Sequence, residues 1–442
     1  MNHPPLSSLL AHGRPPGQAL AIRAETPIGF YRFAGDVAAA ALRLRAGRSR
    51  RAALLCQDSY RFVVGLFGLM HAGVTAVMLP NGQPGTLDAL GDTFDLLVDD
   101  AFLAGTPATP DALPSLDPTL PALEFFTSGS TGLPKRIVKT LGMLEREVAT
   151  LDALWGVEMG RGPVFATVSH QHVYGLTFKL LWPLASGRPF ACETHELWET
   201  LLYRLPTNAV IIASPSHLSR LSGIAPLPVG RRPRGIFSAG APLSLAAARE
   251  TADILGTLPT EIFGSTETGA IATRRQRSDN QPWRPLPGIT IATDTGGRLR
   301  LQSPFLEGMD WFETADLIEQ SSDGFRLRGR TDRVAKIEGK RVSLAEIESK
   351  LTCSSCVAAA VVAVIPGDTT RLGAVVVPSA AGRETLARIG TFRFSRMLRQ
   401  ALAETQEPAA LPRLWRFRDA LPDGPMGKSR DADVLALFGD VS

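Results

Sequence analysis

The sequence predicts an α/β protein: a large N-terminal domain of α/β subdomains plus a small β-rich part, then a small α+β C-terminal domain. Three observations carry that prediction. Short apolar runs alternate with helix-like stretches from residue 20 to about 275, the texture of a largely parallel sheet with helical crossovers. Between 296 and 330 the pattern changes to period two. After 331 a capped amphipathic helix leads into two apolar strands.

The elements follow in order. Ala38–Leu44 is Ala-rich and reads as helix, Arg51–Cys56 as a short buried strand, and Tyr60–His71 as helix. Val74–Leu79 and Asp95–Val98 read as strands. Residues 104–122 carry Pro107, Pro110, Pro114 and Pro118 before Pro121, the composition of a surface loop. Leu123–Phe126 reads as a strand, and a second α/β stretch runs on from 123 to about 275. GGRLRLQS and DGFRLRGR then alternate polar and apolar residues, as antiparallel strands with one exposed face do. In SLAEIESKL, Ser343 is placed as N-cap with Glu346 three residues on, a capping box. AAAVVAVIP and GAVVVP are the two strands after it. The domain boundary falls inside GRTDR, giving domains 1–330 and 331–442.

Composition narrows the function. The 442 residues hold 47 Lys plus Arg against 43 Asp plus Glu, a net charge of +4. An excess that small over this length gives no electrostatic reason to expect a nucleic-acid partner. Six Trp and four Tyr supply no base-stacking platform. The four cysteines, Cys56, Cys192, Cys353 and Cys356, are too few for a disulfide framework. The Cys353/Cys356 pair lacks a second ligand pair and reads as a helix-to-strand connection. The N-terminal MNHPPLSSLLAHGRPPGQ has neither the basic start nor the apolar run of a signal peptide. Val63 to Pro80 is broken by Gly65, Gly68, His71 and Gly73, so it reads as a buried helix entering a strand. A cytoplasmic protein without membrane insertion is expected.

The chemistry concentrates in five segments. FFTSGSTGLPKR (125–136) runs from a buried strand into Thr127, Ser128, Gly129, Ser130, Thr131 and Gly132. Glycines let backbone N–H groups approach an anion, hydroxyls add donors, and Lys135 adds charge: a phosphate cradle. It is not a Walker loop. The nearest match to that pattern, Gly427-Lys428-Ser429, has Pro422 where the first glycine belongs. In IFGSTETG (262–269), Thr266 and Glu267 set a hydroxyl beside a carboxylate, which suits Mg²⁺ near phosphates. ETADL (313–317) puts Asp316 where it can accept both hydroxyls of a ribose. GRTDRVAKIEGKR (329–341) brings Arg330, Asp332, Lys336 and Gly339 to the domain boundary. LPDGPMGKSR (421–430) presents Lys428 on a Gly-rich loop.

In this order and spacing the set resembles the adenylate-forming superfamily: acyl- and aryl-CoA synthetases, peptide-synthetase adenylation domains and luciferases. The resemblance spans about residues 20 to 430 and is specific after 120. It implies ATP-dependent activation of a carboxylic acid as acyl-AMP with release of pyrophosphate. Transfer to a thiol follows, on coenzyme A or a phosphopantetheinyl acyl carrier protein. By resemblance, Thr127 to Gly132 with Lys135 would hold the β- and γ-phosphates, Thr266 would touch the α-phosphate and Glu267 would bind Mg²⁺. Phe263, beside Gly264, would stack on adenine, although the family more often has Tyr there. Asp316 with Arg330 would bind the ribose, with Ala315 standing where the family usually has Gly. Lys428 would be the adenylation lysine, and Asp332 the hinge about which a mobile C-terminal domain swings. Lys336, Gly339 and Arg341 would line the thiol tunnel. His172 and Tyr174, in SHQHVYGL, match the acyl-pocket segment. Ala239, Gly240 and Ala241, in FSAGAPL, match the loop between that pocket and adenine.

Two departures bear on the substrate. The N-terminal domain looks trimmed for this superfamily, which favours an aryl or short acyl acid, and no acidic residue stands out to grip an amino-acid ammonium. Ligases of this size also resemble those of aryl-polyene and xanthomonadin pigment clusters, which load hydroxybenzoate-like acids onto a carrier protein. Arg388, Arg393, Arg396 and Arg399 form a basic run with no acid between them. It is either a solvated helix face or a dock for an acidic carrier protein or the phosphates of coenzyme A. Two other readings remain open: an acyl-AMP-forming enzyme with a non-thiol acceptor, and a catalytically silent nucleotide- or carrier-binding scaffold.

Overall fold

A computed structural model describes the chain apart from residues 1–3, 16, 106–112, 129–133, 242, 279–280, 309, 332–333, 367–369, 422–430 and 440–442. The chain divides into two compact units. The larger comprises Met1–Pro80, Leu90–Phe126 and Arg136–Thr331; the smaller comprises Asn81–Ala89, Thr127–Lys135 and Asp332–Ser442.

The larger unit is built on sheets of mixed α/β type. A nine-stranded sheet has at its centre the parallel strands Phe190–Ala191, Val164–Ala166, Val210–Ala213, Gly235–Ala239 and Thr260–Ser265. These runs are apolar along most of their length because helices cover both faces. Gly269–Arg274 turns back antiparallel on Thr260–Ser265, with a bulge at Phe263/Gly264. A second sheet carries the parallel strands Leu96–Asp99, Arg51–Leu55, Thr75–Met78 and Pro121–Ser128 in that order, with Pro134–Thr140 at its edge. The period-two segment folds as a four-stranded antiparallel sheet of Thr290–Thr293, Arg298–Gln302, Phe312–Ser321 and Gly324–Arg330.

The helices begin and end where their caps dictate. Ser59–Ala72 starts at Asp58, whose carboxylate accepts from the Arg61 amide at 2.8 Å, and stops at Gly73 in the left-handed region. Thr140 caps Leu141–Met159 and Ser244 caps Leu245–Leu255 in the same manner. An aromatic knot of Trp155, Phe178, Trp182 and Phe237, with ring centroids 5.2–6.4 Å apart, seats the second helix layer on the nine-stranded sheet.

The smaller unit has its own core. Val357–Ile365 pairs antiparallel with Arg371–Pro378, which pairs in parallel with Leu414–Phe417. Helix Leu344–Thr352 starts as the capping box predicts, with Ser343 Oγ accepting from the Glu346 amide at 3.2 Å. Helix Ala380–Ala403 is interrupted at Gly390, whose φ of 75° leaves helical space. The short helix Pro84–Ala89 joins this unit, with the Gly85 amide donating to the Glu404 carbonyl at 3.1 Å and Thr86 Oγ1 to that of Thr405 at 3.2 Å. Among the described residues no helix is long and apolar enough to cross a membrane.

Candidate functional site

In an open α/β sheet, ligands bind beyond the carboxyl ends of the strands, where the connections diverge. Gly235–Ala239 and Thr260–Ser265 are parallel neighbours, with Ala239 opposite Ile262. Their carboxyl ends therefore bring Ala239, Gly240 and Ala241 alongside Phe263, Gly264, Thr266 and Glu267. Gly240 has φ 98°, a conformation that a side chain at this bend would oppose.

Thr266, Glu267 and Thr268 form the turn between Thr260–Ser265 and Gly269–Arg274. The turn closes on itself. Ser265 N–H donates to Thr268 Oγ1 at 3.1 Å, Thr268 N–H donates to Ser265 Oγ at 3.3 Å, and Thr268 Oγ1 donates to the Gly269 carbonyl at 2.9 Å. Beneath it lie two buried charges that the sequence reading did not single out. Lys139 is 2% exposed, and its Nζ donates to the Glu267 carbonyl at 2.6 Å and to that of Phe305 at 3.3 Å. Glu147 is 3% exposed and accepts from the Ala270 amide at 2.9 Å. Burial lowers the Lys139 pKa, against the pull of Glu147 and Glu267. Burial raises that of Glu147, against the Ala270 amide and Lys139. The strand below is braced by Glu261, whose carboxylate takes Arg274 Nε at 2.9 Å, Gln276 Nε2 at 2.6 Å and the Leu243 amide at 3.1 Å.

Phe263 is buried, its ring 5.6 Å from that of Trp283 and 5.8 Å from that of Phe325. Phe325 lies on Gly324–Arg330, so the ring ties the hairpin to the four-stranded sheet. In that sheet Asp316 is the cross-strand partner of Arg330. Asp316 is 9% exposed; its amide donates to Thr314 Oγ1 at 3.1 Å, and the Thr331 amide donates to the Ala315 carbonyl at 2.8 Å.

The expected acyl-pocket segment follows strand Val164–Ala166. His172 sits partly buried just ahead of the short helix Val173–Gly175. The Tyr174 ring packs 5.0 Å from Phe178, and its phenol is buried without a hydrogen-bond partner among the described residues. Burial pushes its pKa up. The neighbouring His170, which the sequence reading passed over, is the anchor of this segment. Its Nε2 lies 2.9 Å from the Cys56 carbonyl and its Nδ1 3.0 Å from Ser59 Oγ. A carbonyl only accepts, so Nε2 carries the proton and Nδ1 accepts from the serine hydroxyl. Burial, assisted by the charge of Lys179, pushes this imidazole down to about 3. Gln171 Nε2 adds a bond to the Leu54 carbonyl at 2.8 Å. Lys179, fully buried in the π-helical turn Leu176–Leu181, donates to Thr194 Oγ1 at 2.8 Å and is pushed down to about 7 by burial. No local pattern marks these partners, because the bonds of His170 and Gln171 span elements distant in sequence.

The remaining expected residues belong to the smaller unit. Thr127 and Ser128 end strand Pro121–Ser128, and Lys135 is exposed near the start of Pro134–Thr140. Lys336 and Arg341 are cross-strand partners on the hairpin Val334–Ile337/Lys340–Ser343, whose turn carries Gly339 at φ 85°. Gly129, Ser130, Thr131, Gly132, Asp332 and Lys428 lie outside the described residues.

Glu267 suits a cation shared with phosphates. Among the described residues, no three His, Cys, Asp or Glu side chains gather to hold a metal by themselves. A hard ion bound through substrate phosphates and water needs only one or two carboxylates from the protein. Gly264 is required by the neighbouring strand, since a Cβ there would stand 2.0 Å from the Gly269 carbonyl oxygen.

Comparison with known proteins gives the family. The family model for AMP-binding enzymes matches residues 82–299. The chain is 30% identical to a 4-coumarate–CoA ligase of Rhodobacter capsulatus over 320 residues, covering 70% of this chain and 75% of that one. It is also 30% identical over 427 residues to the phosphinothricin tripeptide synthetase PhsC of Streptomyces viridochromogenes; that match covers 85% of this chain and 37% of the relative. In fold it is similar to an o-succinylbenzoate CoA synthetase from Bacillus subtilis, with a TM-score of 0.81, 19% identity and 98% of each chain covered. The chain belongs to the AMP-binding enzyme family, the adenylate-forming ligases that use ATP.

Proposed function

We propose that this enzyme activates an aryl or short-chain carboxylic acid of hydroxybenzoate type as its acyl-AMP and passes the acyl group to a phosphopantetheine thiol. The observation that carries the reading is the convergence of Ala239–Ala241 and the Thr266–Glu267 turn at the carboxyl ends of adjacent strands. The adenine lies between the Ala239–Ala241 loop and Phe263, and Asp316 accepts the ribose hydroxyls with Arg330 beside it. Thr127 to Gly132 with Lys135 hold the outer phosphates, and Thr266 donates to the α-phosphate. Glu267 would hold a Mg²⁺, which when bound would supply neutralisation of phosphate charge. Lys428 stabilises the charge that develops as the carboxylate attacks and pyrophosphate leaves. Chemistry of this kind is largely positioning and neutralisation.

The aryl preference is supported by the 4-coumarate–CoA ligase relative and by Tyr174, whose phenol, without a hydrogen-bond partner among the described residues, can hydrogen-bond a ring substituent. His172 and Ala239 complete the pocket wall. Residues 331–442 act as a mobile domain turning about Asp332, with Lys336, Gly339 and Arg341 along the thiol path. The exposed Arg393, Arg396 and Arg399, with Phe392 at 76% exposure beside them, suit an acidic carrier protein as acceptor. ATP and thiol substrates of this sort fit a cytoplasmic enzyme.

Acid-dependent ATP–pyrophosphate exchange tests the reading. Exchange should appear with hydroxybenzoates or cinnamates and stay at background with long fatty acids and amino acids. Lys428→Ala should lower it by ~10²–10³. Mass spectrometry should then find the acyl group on coenzyme A or on a phosphopantetheinylated carrier protein. Exchange without any thioester would establish a non-thiol acceptor instead. ATP binding with no exchange on any acid would leave a scaffold.

A further inference from the structure

We propose that Lys139 and Glu147 are positioning residues: together they form a buried clamp that fixes the Thr266–Glu267 turn in its metal- and phosphate-binding conformation. The inference rests on the reading of Glu267 as the metal-binding carboxylate.

The turn is held at two points. At its centre, Lys139 Nζ donates to the Glu267 carbonyl at 2.6 Å, which fixes the peptide whose side chain meets the cation. At its exit, Glu147 Oε1 accepts from the Ala270 amide at 2.9 Å. Gly269, between them, has φ 68°, and a Cβ there would stand 2.8 Å from Glu147 Oε2. The carboxylate therefore packs against bare backbone. The two clamp residues come from consecutive elements, strand Pro134–Thr140 and helix Leu141–Met159, so the spacing between them is rigid. Lys139 also donates to the Phe305 carbonyl at 3.3 Å, bringing a third segment to the same ammonium.

Energetics argue that the pair is there for placement. Burying a cation and an anion costs desolvation that their attraction seldom exceeds, and well-packed neutral side chains would serve stability as well or better. A neutral pair would leave the Glu267 carbonyl without its charged donor. The Glu267 side chain has a cation to meet, so the protein grips its main chain instead. Groups in this supporting position commonly set metal affinity by ~10–100-fold without touching the metal.

The test uses the full-length enzyme with Mn²⁺ as probe. Free Mn²⁺ is titrated by electron paramagnetic resonance in the presence of an ATP analogue whose α,β-bridge resists cleavage. Either single variant, Lys139→Met or Glu147→Gln, leaves one buried charge uncompensated and can lose the fold. The double variant Lys139→Met/Glu147→Gln removes both charges and is the decisive protein. We expect it to keep a melting temperature close to that of the parent while weakening Mn²⁺·nucleotide binding ~10–100-fold. In exchange assays the KM for MgATP should rise, and the KM for the acid should stay unchanged. Glu267→Gln is the reference. If Glu267→Gln weakens Mn²⁺ binding and the folded double variant does not, the clamp is overturned and the site reading stands. If Glu267→Gln leaves the titration unmoved, the site reading fails and takes the clamp with it.

Discussion

Two loops at the carboxyl ends of the nine-stranded sheet are anchored by opposite means. The Thr266–Glu267 turn is held by charge, an ammonium on a carbonyl and a carboxylate on an amide. The segment around His172 and Tyr174 is held by a neutral imidazole, with His170 bridging Cys56 and Ser59. The difference follows what each loop faces. On the proposed function the turn would meet phosphates and a cation in a strong, changing field, and charged hydrogen bonds are about twice as strong as neutral ones. On the same reading the His172–Tyr174 segment would line the acyl pocket, and burial keeps its His170 anchor neutral, while the buried Lys179 lies five residues beyond Tyr174.

The comparison can be broken in steps. The largest effect is expected at the charged anchor. Lys139→Met alone should destabilise the fold by ~1.5–3 kcal/mol in chemical denaturation, since two buried carbonyls lose their charged donor. Acid should act on the other anchor. His170 has a folded pKa of about 3, below its unfolded value of about 6.5. Its contribution is therefore fully present above pH ~6.5 and is lost as pH falls toward about 3, at up to ~1.4 kcal/mol per pH unit. Melting curves taken from neutral pH down toward the folded pKa should show that slope, and His170→Gln should flatten it. A slope unchanged in His170→Gln would place the acid sensitivity elsewhere. Next, Gly269→Ala forces a side chain into a left-handed conformation and toward Glu147; a cost of ~1–2 kcal/mol is expected, with a raised KM for MgATP. Tyr174→Phe comes last. Deleting a buried hydroxyl with no partner should change stability by less than ~1 kcal/mol. It should, however, erode discrimination in favour of hydroxylated acids in the exchange assay.

How much of this was legible in the sequence depended on the range of the interaction. Local rules worked where the cause was local. Ser343 caps its helix as read, accepting from the Glu346 amide, while the Glu346 carboxylate takes Gln406 Nε2. The apolar run Arg51–Cys56 is the strand Arg51–Leu55, and Tyr60–His71 is the helix Ser59–Ala72. The Ala-rich helix read at Ala38–Leu44 extends over Phe30–Gly47, because its aromatic first turn also faces the core. Thr266 and Glu267 stood out because a hydroxyl and a carboxylate sit together after an apolar strand, whereas Ala239 was marked only by the family resemblance of FSAGAPL. Lys139, Glu147 and His170 did not stand out. Lys139 lies 128 residues from the carbonyl it holds, and His170 lies 114 from Cys56. A lysine in a strand and a glutamate in a helix read as solvated faces until the fold buries them.

Gly390 alters the meaning of the basic run. In the sequence Arg388, Arg393, Arg396 and Arg399 look like one stripe. At φ 75° Gly390 resets the helical phase, so the ~100° per residue rule does not carry across it. Arg393, Arg396 and Arg399 share a continuous helix and, three residues apart, fan over about 120° of its surface; Arg388 belongs to a separate rod with its own heading. The positive potential is therefore delivered as a compact triad, not a line. A side chain at Gly390 would meet nothing within 4 Å, so it is the left-handed backbone at this joint that calls for glycine. An acidic partner would read that triad by shape as well as by charge, and its affinity would depend on how the two rods are aimed.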